Sequence, residues 1–318
     1  MKYRPLGTTA LQVSEAGLGT VELGMPYGLG LPSPPPDEEA IGLLRRALDL
    51  GVTYFDTAAA YGRSEELLGR AFAGLATRPV VATKVALREG PGGPLLTGAQ
   101  LARHVESSVH RSLNRLQVHS LDLLQIHSAD DAFVSEELLA LMDRLGAAGL
   151  VRYWGASTYG LEAPLEALDQ PGRLRAIQVA YSLLDRRLDR QILPRCRDLG
   201  VGVVIRSVFL QGVLSPRRRD LPPHLAPLRR AADEATTVAA SLGIDLPALA
   251  VRFAAFESRG DVTLFGTAST AELDANLAAL ESGPLPAEAV AALRRIQVTD
   301  EGLLNPGNWA AAALPSTP

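Results

Sequence analysis

Short apolar segments alternate with segments of helical periodicity along most of the chain, from about residue 15 to residue 280. In the first helical segment Ile41, Leu44 and Leu48 fall on one face, and the segment begins near Asp37 and ends at Gly51. The apolar segments are, in order, EAGLGTVEL, VTYFD, PVVATKV, LDLLQIH, VRYWGAS, AIQVAYS, VGVVIRS and VTLFG. Because each precedes a helical segment, the pattern predicts eight strand-then-helix units.

The predicted strands are apolar with little polar alternation, which is typical of a parallel sheet covered on both faces. Eight such strands alternating with helices predict an α/β fold of the (β/α)8 TIM-barrel type. A doubly wound open sheet is the alternative, but it requires G-x-G-x-x-G in the first strand-to-helix turn. The segment GLGTVELG lacks that spacing and no helix follows it promptly, so the barrel is favoured.

The segments outside the repeats complete the predicted architecture. KYRPLG and LQVSEAG can form an N-terminal β-hairpin across the bottom of the barrel, and loops are expected over its C-terminal mouth. No linker or change of composition divides the chain, so we expect residues 1–318 to form one barrel domain. Residues 299–318 have little periodicity and form either a flexible C-terminal tail or a flap over the mouth.

Composition narrows the class of protein. A hydrophobic content of 47% with 21% charged residues fits a soluble globular protein with a large core. The net charge of −4 argues against nucleic acid or an anionic membrane as the main partner. The N-terminus lacks the apolar region of a secretory signal, and no run of about 18 apolar residues occurs. The single cysteine, Cys196, cannot form an internal disulfide, and we expect a cytoplasmic protein that spans no membrane.

Polar side chains stand at the ends of three consecutive predicted strands. Asp56 ends the second strand, Lys84 lies near the end of the third, and His127 ends the fourth, while Tyr61 follows Asp56 on a loop of small residues. Taken singly, these residues have ordinary explanations as a helix cap, a rim charge or a core histidine. The C-terminal ends of barrel strands carry the chemistry of this fold, so their coincidence at one level predicts an active site.

The chemistry of this site follows from what the four groups can do to each other. Lys84 and Asp56 at neighbouring strand ends can pair, which keeps Lys84 charged in a dry site. A tyrosine ordinarily titrates near pH 10, and a neighbouring cation is expected to lower the pKa of Tyr61, so that Tyr61 acts as a general acid near neutrality. His127 can orient a substrate oxygen. We expect no metal site, because only His127 and Asp56 are candidate ligands.

These segments resemble a known family. FDTAAAYGRSEELLG, VVATKV and LLQIH are similar to the motifs of the aldo-keto reductase superfamily, and the similarity extends from LGT at 18–20 to the helix at 270–280. The resemblance implies a nicotinamide cofactor bound in extended form across the barrel mouth. It implies that Tyr61 protonates a carbonyl reduced by hydride, that Lys84 and Asp56 tune Tyr61, and that His127 orients the carbonyl.

The resemblance also implies a set of cofactor-binding positions. They are Gly19, Thr20, Ser157, Thr158, Gln178, Arg206, Ser207, Phe209, Gln211, Gly212, Gly266, Thr267, Ser269, Glu272 and Asn276. Two of them depart from the family pattern. Thr158 stands where asparagine usually contacts the carboxamide, and Arg206 stands where an aromatic residue often stacks on the nicotinamide. A guanidinium plane can stack on a ring and donate hydrogen bonds at its edge, so we interpret Arg206 as a modified platform.

The adenosine end of the implied site bears on the choice of nucleotide. Ala268 and Glu272 occupy the two positions where a basic residue is expected to meet the 2′-phosphate of NADP. A glutamate repels a phosphate but can accept a hydrogen bond from a free 2′-hydroxyl, so NAD is expected to be used at least as well as NADP. Alternatively, Glu272 is a helix-surface charge, and Arg259 or another residue contacts the phosphate. The expected cofactor is therefore NADP or NAD, with NAD at least tolerated.

The sequence therefore predicts an NAD(P)-dependent oxidoreductase acting on a small aldehyde, ketone or sugar aldose or lactol, as a monomer or weak homo-oligomer. Two alternatives remain: a redox-sensing regulatory subunit that binds the cofactor with little turnover, and a lyase or isomerase that uses Lys84 as a Schiff base. Residues 22–36 and the tail are expected to set the substrate, with Tyr27 and Trp309 as candidate pocket residues. The arginines of SPRRRD are interpreted as a solvated loop.

Overall fold

Eight parallel strands close into a barrel in the computed structural model, which describes residues 1–28, 33–90, 93–129, 133–170 and 172–309. In chain order the barrel strands are β3 (Ala16–Gly19), β4 (Tyr54–Asp56), β5 (Val80–Val85), β6 (Leu121–Ala129), β7 (Val151–Thr158), β8 (Leu174–Ala180), β9 (Gly202–Arg206) and β10 (Val262–Gly266). Each strand pairs with the next, and β10 closes the ring by pairing with β3. The predicted (β/α)8 barrel is confirmed, and the doubly wound alternative is wrong.

An antiparallel hairpin of β1 (Tyr3–Pro5) and β2 (Gln12–Ser14) covers the bottom of the barrel. Its apolar side chains Leu6, Leu11 and Val13 are buried in a cluster with residues of the barrel interior such as Tyr54 and Leu123. The hairpin therefore fills the bottom of the barrel with side chains, as expected from the N-terminal sequence. The opposite, C-terminal end of the barrel is left for the site.

Helices whose apolar faces pack on the outside of the barrel follow the strands. They are α1 (Val21–Gly24), α2 (Asp37–Asp49), α3 (Ser64–Ala71), α4 (Gly98–Leu116), α5 (Glu136–Ala147), α6 (Glu162–Leu168), α7 (Ile192–Leu199), α8 (Ala226–Ser241), α9 (Leu246–Glu257), α10 (Thr270–Glu281) and α11 (Ala287–Arg295). On α4, for example, Leu101, Val105 and Leu116 are buried while the opposite face is solvated, the pattern of an amphipathic helix on a core. This outer layer covers the outward face of the barrel strands, and their inward face is packed in the barrel interior.

Two elements differ from the sequence prediction. The first barrel strand ends at Gly19, because Thr20 turns the chain by donating its N–H (3.0 Å) and its hydroxyl (2.8 Å) to the backbone oxygen of Asp56. The segment VELG then forms α1 instead of continuing the strand. The helix α11 was not predicted, since its short sequence buries only Ala289 and Leu293 and so carries a weak periodic signal.

The C-terminal segment is fixed to the barrel as far as residue 309. It forms two 3₁₀ turns, Glu301–Leu304 and Pro306–Asn308, and Leu303 and Leu304 are buried. Trp309 is also buried in the main core, and its indole N–H donates to the oxygen of Leu303 at 2.8 Å. Trp309 is therefore a core residue, and the expectation that it lines the substrate pocket is wrong. Residues 310–318 of the expected tail lie outside the described part of the chain.

In the part of the chain that the structure describes, no single helix has both the length and the apolar character to cross a membrane. One pair of helical segments, Pro223–Ser241 and Leu246–Glu257, passes that test only jointly and is bent by 92° at its break.

Candidate active site

The barrel register brings three of the predicted catalytic residues to one level at the C-terminal mouth. Asp56 is the last residue of β4 and pairs with Ala82 of β5, two residues before Lys84. Lys84 in turn pairs with Gln125 of β6, two residues before His127. Because side chains alternate along a strand, Asp56, Lys84, Gln125 and His127 all point to the barrel interior. Residues on separate strands, far apart in the sequence, are therefore close together in the barrel.

Asp56 and Lys84 form a buried ion pair at the centre of the site. The Lys84 Nζ lies 2.5 Å from Asp56 Oδ1 and also donates to the backbone oxygen of Thr57 at 2.9 Å. The second carboxylate oxygen, Oδ2, accepts from Gln125 Nε2 at 3.2 Å and from Gln178 Nε2 at 2.6 Å. A buried ion pair is stable only when hydrogen bonds satisfy its remaining valences, and here both carboxylate oxygens have donors. The amine is therefore held in one place.

Tyr61 lies over this pair on the turn that follows β4. The centroid of its ring is 4.8 Å from Lys84 Nζ and 5.5 Å from the centroid of the His127 ring, which it meets edge-on. The turn is closed by the Tyr61 N–H donating to the oxygen of Ala58 at 2.9 Å. The turn also packs against Gly24, where an added Cβ would lie 2.0 Å from the backbone oxygen of Tyr61. Small residues around the turn thus allow the phenol to sit at the mouth.

Burial sets the protonation state of these groups. The pKa of Tyr61 is raised above its ordinary value, first by burial and then by the charge of Asp56. The expected lowering of the pKa of Tyr61 is therefore wrong for the groups of this chain, because burial and the charge of Asp56 outweigh the effect of the neighbouring cations. Burial, with the charges of Lys84 and Arg206, lowers the pKa of His127 to about 3. At neutral pH the site thus holds a protonated phenol and a neutral imidazole.

The implied carboxamide-binding residues connect directly to the ion pair of Asp56 and Lys84. Ser157 Oγ donates to Gln178 Oε1 at 3.3 Å, and the other end of the Gln178 amide donates to Asp56. The hydroxyl of Thr158 is buried and has no hydrogen-bond partner among the described residues. A buried polar group without a partner is costly in a native structure, so the Thr158 hydroxyl fits contact with a polar ligand group.

Arg206 ends β9 beside these residues, stacked on a tyrosine that was missed by the sequence analysis. Its guanidinium carbon lies 4.1 Å from the centroid of the Tyr159 ring. Its two terminal nitrogens donate to the oxygen of Thr158 and to Ser207 Oγ, each at 3.0 Å. Tyr159 directly follows the GAST segment, so a search for aromatic residues beyond the strand ends would have found it.

The loop after β9 has an unusual backbone. Ser207, Leu210 and Gln211 have positive φ angles of 63°, 45° and 52°, and Gly212 has a φ of 101°. Left-handed conformations of non-glycine residues are costly, and they cluster at sites where successive backbone N–H groups face an anion. Gln211 Nε2 also donates to the hydroxyl of Tyr27 at 3.3 Å, which places Tyr27 at the mouth. This is the implied pyrophosphate-binding loop; Phe209 is partly buried in it, and the N–H groups of Leu210 and Gly212 donate to the backbone oxygens of Ser207 and Phe209.

The implied adenosine end contains an acidic residue with two partners. Glu272 Oε2 accepts from Thr267 Oγ1 at 2.6 Å, and Glu272 Oε1 lies 3.7 Å from a terminal nitrogen of Arg217. Ser269 caps α10, with its hydroxyl accepting from the Glu272 N–H, and Asn276 is buried on the same helix. Gly19 and Gly266, paired in register on β3 and β10, lie between this end and the catalytic pair.

The alternative phosphate contact from Arg259 is wrong. Arg259 precedes β10 and therefore lies at the bottom of the barrel, whereas Glu272 follows the C-terminal end of that strand. The cation beside Glu272 is Arg217, from the SPRRRD stretch, which forms a 3₁₀ turn without buried residues. Glu22 of α1 completes this acidic group, and burial raises its pKa to about 7, with Arg217 opposing the rise. Glu22 and Arg217 carried no motif in the sequence.

A cavity of about 220 Å³ adjoins the site on the side of Tyr159. Its lining combines polar side chains, including Asp185, Arg187, Glu301 and Asn305, with at least as much apolar surface. Asp185 is buried and held by two hydrogen bonds of 2.8 Å from Arg187. Hydroxyl-rich molecules would find both donors and acceptors here.

The fold and this site can be compared with known proteins. The family model of the aldo/keto reductase family matches residues 15–298. Aldo-keto reductase YhdN of Bacillus subtilis (strain 168) is 32% identical over 219 residues, which span 68% of this chain and 64% of the relative. The chain thus matches a little under two thirds of that protein's length.

Solved structures extend the comparison over nearly the whole chain. The holo form of aldo-keto reductase AKR11C1 from Bacillus halodurans matches with a TM-score of 0.74 and 27% identity, covering 93% of this chain and 96% of that one. Glycerol dehydrogenase AKR11B4 from Gluconobacter oxydans matches with a TM-score of 0.74 and 25% identity, covering 92% and 94%.

Proposed function

The chain belongs to the aldo/keto reductase family, and on that premise we propose that it is an NAD(P)-dependent oxidoreductase that interconverts a carbonyl and an alcohol. The observation that carries the proposal is the position of Tyr61, with its ring 4.8 Å from Lys84 Nζ and beside the His127 ring. Such a group protonates an oxygen on which negative charge develops. The substrate is an aldehyde, a ketone or the aldose or lactol form of a sugar.

The residues of the mouth fit a nicotinamide dinucleotide. The unpartnered hydroxyl of Thr158, with Ser157 and Gln178, suits a carboxamide, and the left-handed loop from Ser207 to Gly212 suits a pyrophosphate. When bound, the cofactor supplies or accepts the hydride, which no side chain of the site can do. The chain itself binds, orients and exchanges the proton.

Each catalytic side chain has a role that follows from its state. Tyr61 is a protonated phenol at neutral pH and donates its proton to the carbonyl oxygen during reduction. Lys84 lies beside the Tyr61 ring and stabilises the phenolate left behind, while Asp56 holds the amine in position. His127 is a neutral imidazole, so its N–H orients the substrate oxygen without competing as an acid.

Glu272 supports use of NAD. Its carboxylate is about half exposed at the implied adenosine end, and Thr267 fixes one of its oxygens at 2.6 Å. A carboxylate held there repels a 2′-phosphate and can accept from a free 2′-hydroxyl. Arg217, at 3.7 Å, partly offsets this repulsion, so NADP is accepted less well and not excluded.

The cavity beside Tyr159 offers hydrogen-bond donors and acceptors among apolar side chains, which is compatible with substrates that carry several hydroxyl groups, such as sugars and polyols. The printed name of one structural relative, a glycerol dehydrogenase, is consistent with such a substrate class. A panel of aldehydes, ketones, aldoses and polyols, assayed with NAD and NADP at the nicotinamide absorbance, tests the proposal. We expect turnover with hydroxylated carbonyl compounds and a higher kcat/KM with the NAD pair.

Two results would contradict the proposal. Tight cofactor binding with no turnover of any substrate would favour a redox-sensing regulatory subunit. Borohydride trapping of a carbonyl substrate on Lys84 would favour a Schiff-base enzyme. The second result is not expected, because Lys84 is buried and its amine is bonded to Asp56 and Thr57.

A further inference from the structure

Arg206 is a cation without a carboxylate partner at the mouth of the barrel. Its hydrogen bonds go to the oxygen of Thr158 and the hydroxyl of Ser207, and its guanidinium stacks on the ring of Tyr159. All three partners are neutral, and in the described part of the chain no ion pair involves Arg206. Half-buried arginines without an acidic partner keep most of their field, since no opposite charge cancels it.

The field of Arg206 reaches the catalytic groups. Its charge contributes to lowering the pKa values of Lys84 and His127, and it opposes the rise in the pKa of Tyr61. Lys84 is neutralised by Asp56 at 2.5 Å, and His127 is neutral, so Arg206 leaves the site with one uncompensated positive charge. The acidic group of Glu22 and Glu272 lies at the other end of the implied cofactor groove and is paired with Arg217.

We propose that Arg206 selects between the two redox states of the cofactor, binding the reduced nucleotide in preference to the oxidised one. The inference rests on the proposed function. The oxidised nicotinamide ring carries a positive charge, which an unpaired guanidinium repels, whereas the reduced ring is neutral and electron-rich and can stack on a cation. Tyr159, Thr158 and Ser207 hold the guanidinium in place at the mouth, so it can leave this position only by losing these contacts.

This preference shifts the equilibrium of the bound reactants toward alcohol oxidation, because tighter binding of the reduced nucleotide stabilises the products of that reaction. In that direction Tyr61 would first release its phenolic proton to solvent. The oxidised nucleotide, when bound, would accept a hydride from the carbinol carbon, and the hydroxyl proton would pass to the Tyr61 phenolate. One carbonyl compound and one reduced nucleotide result. Arg206 therefore assists oxidation by destabilising the oxidised nucleotide, and it assists loss of the Tyr61 proton through the same charge.

The test measures dissociation constants and does not depend on turnover. Fluorescence titration of the protein with NAD⁺ and with NADH gives the ratio Kd(NAD⁺)/Kd(NADH), and the NADP pair is titrated in the same way. Removing the charge in Arg206→Gln is expected to lower this ratio by about 5- to 100-fold, the range for one charge at a partly buried site. Arg206→Lys keeps the charge and is expected to retain most of the ratio.

Arg217→Gln is the matched control, since it removes a cation at the adenosine end. It is expected to change both dissociation constants by the same factor and to leave their ratio unchanged. An unchanged ratio in Arg206→Gln, or an equal loss of affinity for both nucleotides in the Gln and Lys variants, would overturn the inference and leave the proposed function standing. Failure of the wild-type protein to bind any of these nucleotides would overturn both.

Discussion

Lys84 reaches from β5 to Asp56 at the end of β4, with 2.5 Å between Nζ and Oδ1, and the free carboxylate oxygen is bound by amides from β6 and β8. This one carboxylate therefore connects four barrel strands at the level of the site. Because Lys84 is 1% exposed, water cannot solvate the charge that remains buried if one partner is lost. The same contact that positions the amine under Tyr61 thus also contributes to the stability of the barrel mouth.

Replacing one member of this pair is predicted to destabilise the protein more, per residue replaced, than replacing both members. Lys84→Met leaves the Asp56 carboxylate buried without its cation, and we expect a loss of about 3–5 kcal/mol in the free energy of unfolding. Asp56→Asn is expected to cost a similar amount. The double variant should lose less than the sum of the two, as measured by urea denaturation in a double-mutant cycle.

The exposed pair of Arg152 and Asp122, 2.7 Å apart, provides the control cycle. Solvent screens that pair, so its coupling should stay below about 1 kcal/mol. A coupling energy between Asp56 and Lys84 no larger than that of the control pair would show that the buried contact contributes nothing beyond its separate side chains.

Tyr61→Phe removes only the phenolic hydroxyl and is predicted to lower kcat for carbonyl reduction by about 10²–10⁴-fold, the usual contribution of a general acid. The dissociation constant of the cofactor should stay within about twofold, since the ring that packs against His127 is retained. Steady-state kinetics and fluorescence titration measure the two effects separately.

Tyr54→Phe, on the strand β4 that precedes the Tyr61 turn, is the matched control. The Tyr54 hydroxyl is buried without a hydrogen-bond partner among the described residues, so its removal breaks no bond and should leave turnover close to that of the wild type. Equal activity of Tyr61→Phe and Tyr54→Phe would refute the assignment of Tyr61 as the proton donor.

Glu272→Arg is predicted to shift nucleotide preference toward NADP. A basic side chain replaces a carboxylate that repels the 2′-phosphate, and it joins Arg217 at the same place. We expect the ratio of kcat/KM with NADP to that with NAD to rise by about tenfold or more, as one charge-assisted hydrogen bond provides. Glu272→Gln, which only removes the repulsion, should give a smaller shift in the same direction; no shift in either variant would place Glu272 outside the nucleotide site.

The free energy of unfolding should decrease with rising pH because of Glu22. Its pKa is about 7 in the folded chain and near 4.5 when unfolded, so the folded chain binds more protons between these values. Linkage then requires the contribution of protonated Glu22 to be lost as the pH rises from about 4.5 to 7. Glu22→Gln should be more stable than the wild type above pH 7, by on the order of 1–3 kcal/mol, with the difference vanishing near pH 4.

Urea denaturation of both proteins at a series of pH values measures this difference. Glu288→Gln, at an exposed position of α11, is the control and should show no such dependence on pH. A constant difference between Glu22→Gln and the wild type across this range would mean that Glu22 titrates normally.

The amino-acid sequence determined the barrel and predicted the four residues that we propose as its active site. Parallel strands covered on both faces must be apolar throughout, so their positions are visible as apolar runs, and a polar residue at the end of such a run stands out. Asp56, Lys84 and His127 were found in this way, and Gln125 could have been found by the same inward alternation. The end of the first strand was not visible, because Thr20 stops it through a bond to Asp56, 36 residues away.

Only the tertiary structure decided the charges and partners within the site. The pKa of Tyr61 rises because burial places it next to Asp56, and the pKa of Glu22 rises through burial near Glu272. The stack of Arg206 on Tyr159 likewise joins residues from separate strands. Protonation and pairing depend on distances between groups remote in sequence, and local apolar pattern carries no information about those distances.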